Sequence, residues 1–136
     1  ELPHLPLAGL GFCFGGHLAW HLAARPELKA TASFYGARVS TFSPGGGVPT
    51  VQLAAEIPGR LLVWLGADDS LMPADEQQAI GSALRAADPS AERLQYRIAP
   101  AAGHGFMCSQ RSDFQPEAAE QGWQSLLELF GQIAEV

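Results

Sequence analysis

Four short apolar runs separated by stretches of helical composition restrict this chain more than any other feature. They are Leu5–Leu10, Ala30–Tyr35, Arg60–Leu65 and Leu94–Ala99. Runs of this kind alternating with helices are the signature of βαβ units and a parallel sheet. None alternates cleanly between polar and apolar residues, which predicts strands covered on both faces. Helices are expected at His17–Ala24, stopped by Pro26, and at Pro73–Ala87. In the second, Pro73 suits the first turn and Asp75 and Glu76 favour the positive end of the helix dipole. A third helix, about Pro116–Ala134, carries Ala119, Trp123, Leu126, Leu127, Phe130 and Ile133 at helical spacing, a stripe expected to face the core. The fold class is therefore α/β, a parallel sheet of about four strands with flanking helices. The segment Pro44-Gly45-Gly46-Gly47-Val48-Pro49 reads as a surface loop near the open end of the sheet, in position for a lid.

Composition narrows the function classes. With 136 residues, 47% of them hydrophobic and 16% charged, residues 1–136 make one globular domain and not a disordered segment. A net charge of −6 and scattered basic residues exclude a nucleic-acid partner, which wants a basic stripe to neutralise phosphates. No apolar run reaches the roughly 18 residues that span a bilayer, so no membrane partner is expected. Two cysteines cannot build a disulfide framework, and a reducing, cytoplasmic setting is the default. The chain opens at Glu1 without a methionine and runs almost at once into its first strand. We expect a C-terminal part of a longer polypeptide, with any targeting signal upstream of view. The oligomeric state is left open.

The chemistry concentrates in Gly11-Phe12-Cys13-Phe14-Gly15-Gly16, which follows a strand and precedes a helix. This is the G-x-nucleophile-x-G elbow, with cysteine where serine is commoner. A nucleophile at the tip of so tight a turn is strained, and glycines at 11 and 15 are expected to remove side-chain clashes across it. Cys13 would stand at a helix N-terminus, where the dipole favours a thiolate, and the Phe14 N–H would point at a developing oxyanion. The competing reading is a small buried cysteine beside a glycine-rich turn.

A nucleophile needs a base, and the base needs an orienting group. Directly after the third strand comes Gly66-Ala67-Asp68-Asp69-Ser70-Leu71-Met72-Pro73, and after the fourth Pro100-Ala101-Ala102-Gly103-His104-Gly105-Phe106. An acid and a histidine thus end successive strands in the order nucleophile, acid, histidine. Asp69 is the favoured acid, leaving Asp68 to face solvent or cap the next helix. Glycines on both sides of His104 would leave its ring free to swing. Cys13, His17 and His21 share a spacing that could hold zinc, but Cys13 belongs to the turn and the histidines to packing, so no metal is expected. Cys108 reads as structural, or as redox-sensitive because it follows His104 by one helical turn's spacing. Arg111 could clamp a substrate carboxylate or merely solvate the surface.

Taken together, Gly11-Phe-Cys-Phe-Gly-Gly16, Phe34-Tyr35-Gly36, Gly66-x-x-Asp69-x-x-x-Pro73 and Gly103-His-Gly-Phe106 resemble the dienelactone hydrolase family. The tail from Arg111 through Ala119 to Trp123 looks like it too. The resemblance implies a partial α/β-hydrolase fold with a Cys13–Asp69–His104 triad, no cofactor, and small carboxylic esters or lactones as substrates. Such substrates typically carry a carboxylate, as in dienelactone opening during aromatic-compound breakdown. Phe12, Tyr35, Phe106 and Arg111 are the candidate substrate contacts, beside the elbow residues Gly11, Gly15 and Gly16. The family's N-terminal half is missing, and with it a second oxyanion N–H, an acidic residue near the nucleophile and part of the pocket. The expected reaction is acyl transfer through a thioester. A general carboxylesterase or thioesterase on the same triad is the enzyme alternative, and a non-catalytic binding module the other.

Overall fold

The computed structural model describes residues 4–134. Glu1 lies outside the described residues, and so does the chain start behind the expectation of an upstream part. Four strands form one sheet: β1 (Leu7–Phe12), β2 (Leu28–Phe34), β3 (Arg60–Gly66) and β4 (Leu94–Ala99). They lie in the order β1-β2-β3-β4, every pair parallel, with Phe12 opposite Phe34, Phe34 opposite Trp64 and Gly66 opposite Ala99. Three α-helices connect or close them: α1 (Phe14–Ala23), α2 (Ala74–Ala87) and α3 (Pro116–Ala134). Among the described residues no helix is long and apolar enough to cross a membrane.

The two sides of the sheet hold separate cores, as the alternation of side chains along a strand requires. Leu62 and Trp64 of β3 face a cluster with Phe34, Phe106, Met107, Ala118, Ala119, Leu126 and Leu129. Leu61, Val63 and Leu65 face Trp20, Val39, Met72, Ile80 and Leu84 on the other side. Burying each of these large side chains contributes roughly 1.5–3 kcal/mol. The strands are thus clamped between α3 and the α1–α2 layer, and their C-terminal ends, which carry the candidate residues, share one rim.

Several expectations change. The first strand starts at Leu7 and ends at Phe12, because Pro6 has no N–H for the ladder. Nor is it covered on both faces: Gly9 and Gly11 are buried, whereas Ala8 and Leu10 on the opposite face are exposed. Helix α1 starts at Phe14 rather than His17, directly on the elbow. A 3₁₀ segment, Thr50–Glu56, was not foreseen. The α3 stripe is rotated from the one expected. Ala118, Ala119, Gly122, Ser125, Leu126 and Leu129 are buried, whereas Trp123 is 43% and Leu127 70% exposed. The reason is close approach. Small residues let α3 settle on the sheet, where Ser125 Oγ accepts a 2.8 Å hydrogen bond from Trp64 Nε1–H. Trp123 and Leu127 are left on the flank beside β1, Trp123 lying 6.0 Å from the Phe12 ring.

Candidate active site

Cys13 occupies the sharp turn between β1 and α1 with φ 55° and ψ −123°. A non-glycine residue in so sparsely populated a region costs on the order of 1–3 kcal/mol and persists only where its surroundings enforce it. Here they do. The Cys13 N–H donates to Phe34 O (3.1 Å) and its carbonyl accepts the His17 N–H (3.2 Å). Ser33 Oγ–H donates to Gly16 O (2.6 Å), tying the start of α1 to β2. A Cβ on Gly11 would run into the Gly15 carbonyl, so the elbow requires glycine there. The expectation that Gly15 is needed for the same reason is not met, since a Cβ there would meet nothing within 4 Å. Gly16 is the second indispensable glycine, its Cβ position lying 2.5 Å from Phe34 O. Phe14 is the first residue of α1, where backbone N–H groups have no intrahelical partner.

The acid and the histidine meet. His104 Nδ1–H donates to Asp69 Oδ2 at 2.8 Å, and the other oxygen, Oδ1, accepts the Leu71 N–H at 2.9 Å. Asp69 is buried, whereas Asp68 is exposed and uses its backbone N–H on Ala102 O (2.9 Å). That bond laces the acid turn to the histidine loop. The His104 ring is held rather than free to swing: besides Asp69, it packs edge-on against Tyr35 with centroids 5.2 Å apart. Because a carboxylate oxygen only accepts, the proton sits on Nδ1 and Nε2 keeps its lone pair. Burial pushes the Tyr35 phenol up to about 12, so it stays neutral.

Cys13 lies between two cavities. One, of about 280 Å³, is lined by Cys13, Phe14, Ala37, Arg38, Phe42 and His104 among others. The second, of about 420 Å³, is lined by Phe12, Cys13, Tyr35, Cys108, Arg111 and Trp123 among others. Cys13 and His104 therefore face a common space, although no side-chain hydrogen bond of Cys13 occurs among the described residues. The expected thiolate is not favoured. Burial pushes the Cys13 thiol above its ordinary value, opposed by the Arg111 guanidinium and reinforced by Asp69 and Cys108. Desolvation, which penalises the charged form, leads in this shift.

Of the four candidate contacts, Phe12, Tyr35 and Arg111 line the larger cavity. Phe106 does not: it is fully buried in the core, 5.2 Å from the Tyr35 ring and 6.3 Å from Trp64, and buttresses Tyr35 from behind. Arg111 forms an exposed 3.8 Å ion pair with Asp113, and Cys108 is exposed rather than structural. His17 also lines the smaller cavity, but it and His21 direct Nε2 to Thr50 Oγ1, and no group of three metal-ligating side chains occurs among the described residues. Arg38, Phe42 and Leu71 were missed as wall residues. Leu71 could have been found from its place in the acid turn. Arg38 and Phe42 carry no local signal. The Gly45–Gly47 tip expected to form a lid is exposed and lines neither cavity.

A strained strand-to-helix cysteine, with an aspartate and a histidine following the third and fourth strands of a parallel sheet, defines part of an α/β-hydrolase fold. The sequence profile of the dienelactone hydrolase family matches residues 6–134, and the chain belongs to that family. It is 37% identical over 121 residues to a Synechocystis protein named "Putative carboxymethylenebutenolidase", covering 89% of this chain and 48% of that one. An Escherichia coli K12 protein of the same name is 36% identical over 123 residues, 90% of this chain and 44% of its own. Among solved structures, a Klebsiella pneumoniae protein titled "Putative Dienelactone Hydrolase" superposes with a TM-score of 0.83 at 34% identity, covering 93% of this chain and 52% of that one. A dienelactone hydrolase-like promiscuous phosphotriesterase from metagenomic libraries does so with 0.72 at 25% identity, covering 93% and 52%. The chain spans about half the length of the curated relatives it matches.

Proposed function

We propose that the protein hydrolyses small carboxylic esters or lactones through Cys13, His104 and Asp69, with a thioester acyl-enzyme between two half-reactions. One observation carries this reading: an imidazole oriented by a buried carboxylate, 2.8 Å away, opens onto the same cavity as a cysteine held in a strained turn. His104 Nε2 takes the Sγ proton as sulfur bonds to the ester carbonyl carbon, and the Phe14 N–H donates to the developing oxyanion. The carbon–oxygen bond to the leaving group breaks, and the imidazolium returns the proton to the departing oxygen. Water then gives a proton to His104, its oxygen attacks the thioester carbonyl, and the sulfur leaves and regains the proton. Asp69 keeps His104 in the required tautomer and stabilises its cation.

Sulfur is a good nucleophile against esters whose leaving group is weakly basic, such as an enolate, and a poor one against amides. The Arg111 cation beside the larger cavity suits a substrate carboxylate, in keeping with a dienelactone-type compound from aromatic breakdown. A free thiol nucleophile also suits the reducing cytoplasm. The test is Cys13→Ala in the complete protein against a panel of esters, lactones and thioesters. Loss of turnover by several orders of magnitude is expected, with lactones and enol esters preferred. Near-unchanged turnover in Cys13→Ala would overturn the proposal. A preference for alkyl thioesters would favour a thioesterase, and ligand binding without turnover a binding module.

A further inference from the structure

Neither ring nitrogen of His17 is free, and the partners determine where its protons sit. Nδ1 lies 2.7 Å from Ala37 O, which only accepts, so Nδ1 carries a hydrogen. Nε2 of the neutral ring is then an acceptor, and the Thr50 hydroxyl, 2.7 Å away, donates to it. With its own hydrogen so used, Thr50 Oγ1 can only accept from His21 Nε2–H at 2.9 Å. The His17 ring is 1% exposed and lies edge-on to Phe42 at 5.9 Å.

Ala37 and Thr50 are the two ends of one loop. Backbone bonds from Val51 N–H to Val39 O (2.7 Å) and from Thr50 N–H to Phe42 O (3.1 Å) close it. A second tie joins its near limb to α2, where the Ser40 N–H donates to Glu76 Oε1 (3.2 Å) and the Ser40 hydroxyl to Oε2. From this loop Ala37, Arg38 and Phe42 form one wall of the cavity shared by Cys13 and His104, with the Arg38 guanidinium 4.8 Å over the Phe42 ring. The wall belongs to no strand ladder; besides the buried Val39 side chain and these backbone bonds, it is held through its two ends. Its position depends on what holds the two loop ends.

We propose that His17 is a positioning residue that sets the width of the cavity beside Cys13, and hence the size of substrate group admitted, by latching both ends of the Ala37–Thr50 loop. The latch requires neutral imidazole. A protonated ring would present two N–H donors and take from the Thr50 hydroxyl its acceptor. The charged and titratable groups facing His17 are His21 on its own helix, Arg38 from the loop and Glu76 from α2. Burial leads in lowering His17 from its ordinary value, helped by His21 and Arg38 and opposed by the Ala37 bond and Glu76. At neutral pH the latch is closed.

The kinetic consequence rests on the reading of Cys13 and His104 as reacting groups, so the test has two arms. The variant is Thr50→Val in the complete protein, nearly isosteric but without the hydroxyl. In the first arm, KM and kcat are measured over aryl esters from acetate to hexanoate. The hexanoate-to-acetate ratio of kcat/KM should rise about tenfold, carried by KM, as the wall loosens on losing both hydrogen bonds of the Thr50 hydroxyl, to His17 and to His21. In the second arm, Cys13 alkylation by iodoacetamide and by N-pyrenylmaleimide is followed by peptide mass spectrometry, which needs no turnover. The bulky-to-small rate ratio should rise in parallel. Thr50→Ser, which keeps the hydroxyl, should restore both ratios toward wild type, and His17→Gln, which removes the imidazole from between Ala37 and Thr50, should raise both ratios and serves if Thr50→Val does not fold. Folded variants with both ratios unchanged would overturn the latch. A wild-type protein that alkylates but turns over no ester would overturn the catalytic reading, while the alkylation ratio would still decide the latch.

Discussion

Asp69→Asn is the perturbation whose outcome the geometry specifies most fully. Asp69 offers one oxygen to His104 Nδ1–H (2.8 Å) and the other to the Leu71 N–H (2.9 Å). Asparagine has a single oxygen, and the Leu71 amide, a fixed donor, claims it. The NH₂ group then faces His104 Nδ1, where two donors would meet. The imidazole resolves this by moving its proton to Nε2, the nitrogen proposed to accept from Cys13. The substitution is nearly isosteric, so the cavity and fold persist while the base is lost. A triad left with the wrong tautomer loses about 10³–10⁴ in turnover, about 4–5.5 kcal/mol at 1.36 kcal/mol per tenfold. Steady-state hydrolysis of an activated ester reads the rate, and ¹⁵N chemical shifts of His104 read the tautomer. Activity within tenfold of wild type, with the proton still on Nδ1, would refute the reasoning.

Two further outcomes concern the fold. Gly11→Ala should destabilise by about 2–4 kcal/mol, because its Cβ meets the Gly15 backbone carbonyl, whereas Gly15→Ala should be neutral or gain up to about 1 kcal/mol from helix propensity. Urea midpoints of the two variants check this, and equal losses would contradict it. His17, held neutral by burial below its ordinary 6.5, makes stability pH-dependent. Above about pH 6.5 it is neutral folded or unfolded and the stability is complete. As pH falls below that value the unfolded chain takes the proton first, and stability declines by at most about 1.4 kcal/mol per pH unit from this group. Thermal melts from pH 7.5 to 5 should show the slope, and His17→Phe should flatten it.

Much of this was legible in the chain because it is local. Strand runs were recognisable from Arg60–Leu65 and Leu94–Ala99, and the elbow from glycine spacing around Cys13, since a tight turn leaves little choice of residue. That Asp69 and His104 would lie together was legible from their positions after successive strands, and the two side chains do pair. What could not be read depends on tertiary surroundings. Of the apolar stripe on α3, Ala119, Leu126, Phe130 and Ile133 do face the core, but the close approach that Gly122 and Ser125 allow turns Trp123 and Leu127 outward. Gly15 looked equivalent to Gly11, yet only one of them lies under another backbone. Phe106 was expected among the substrate contacts, although its side chain turns into the core. The upward push on the Cys13 thiol comes chiefly from burial, which the elbow motif does not encode. His17 and Thr50 stand 33 residues apart, and no periodicity links them.

The central claim is that Cys13 carries the acyl group during turnover. Mass spectrometry of protein quenched within milliseconds of mixing with a slowly deacylating ester measures this directly. The account predicts the mass of one acyl group on the peptide containing Cys13, appearing before product reaches steady state and lost on Cys13→Ala. Acylation of a different residue, or full turnover with Cys13 never modified, would contradict it.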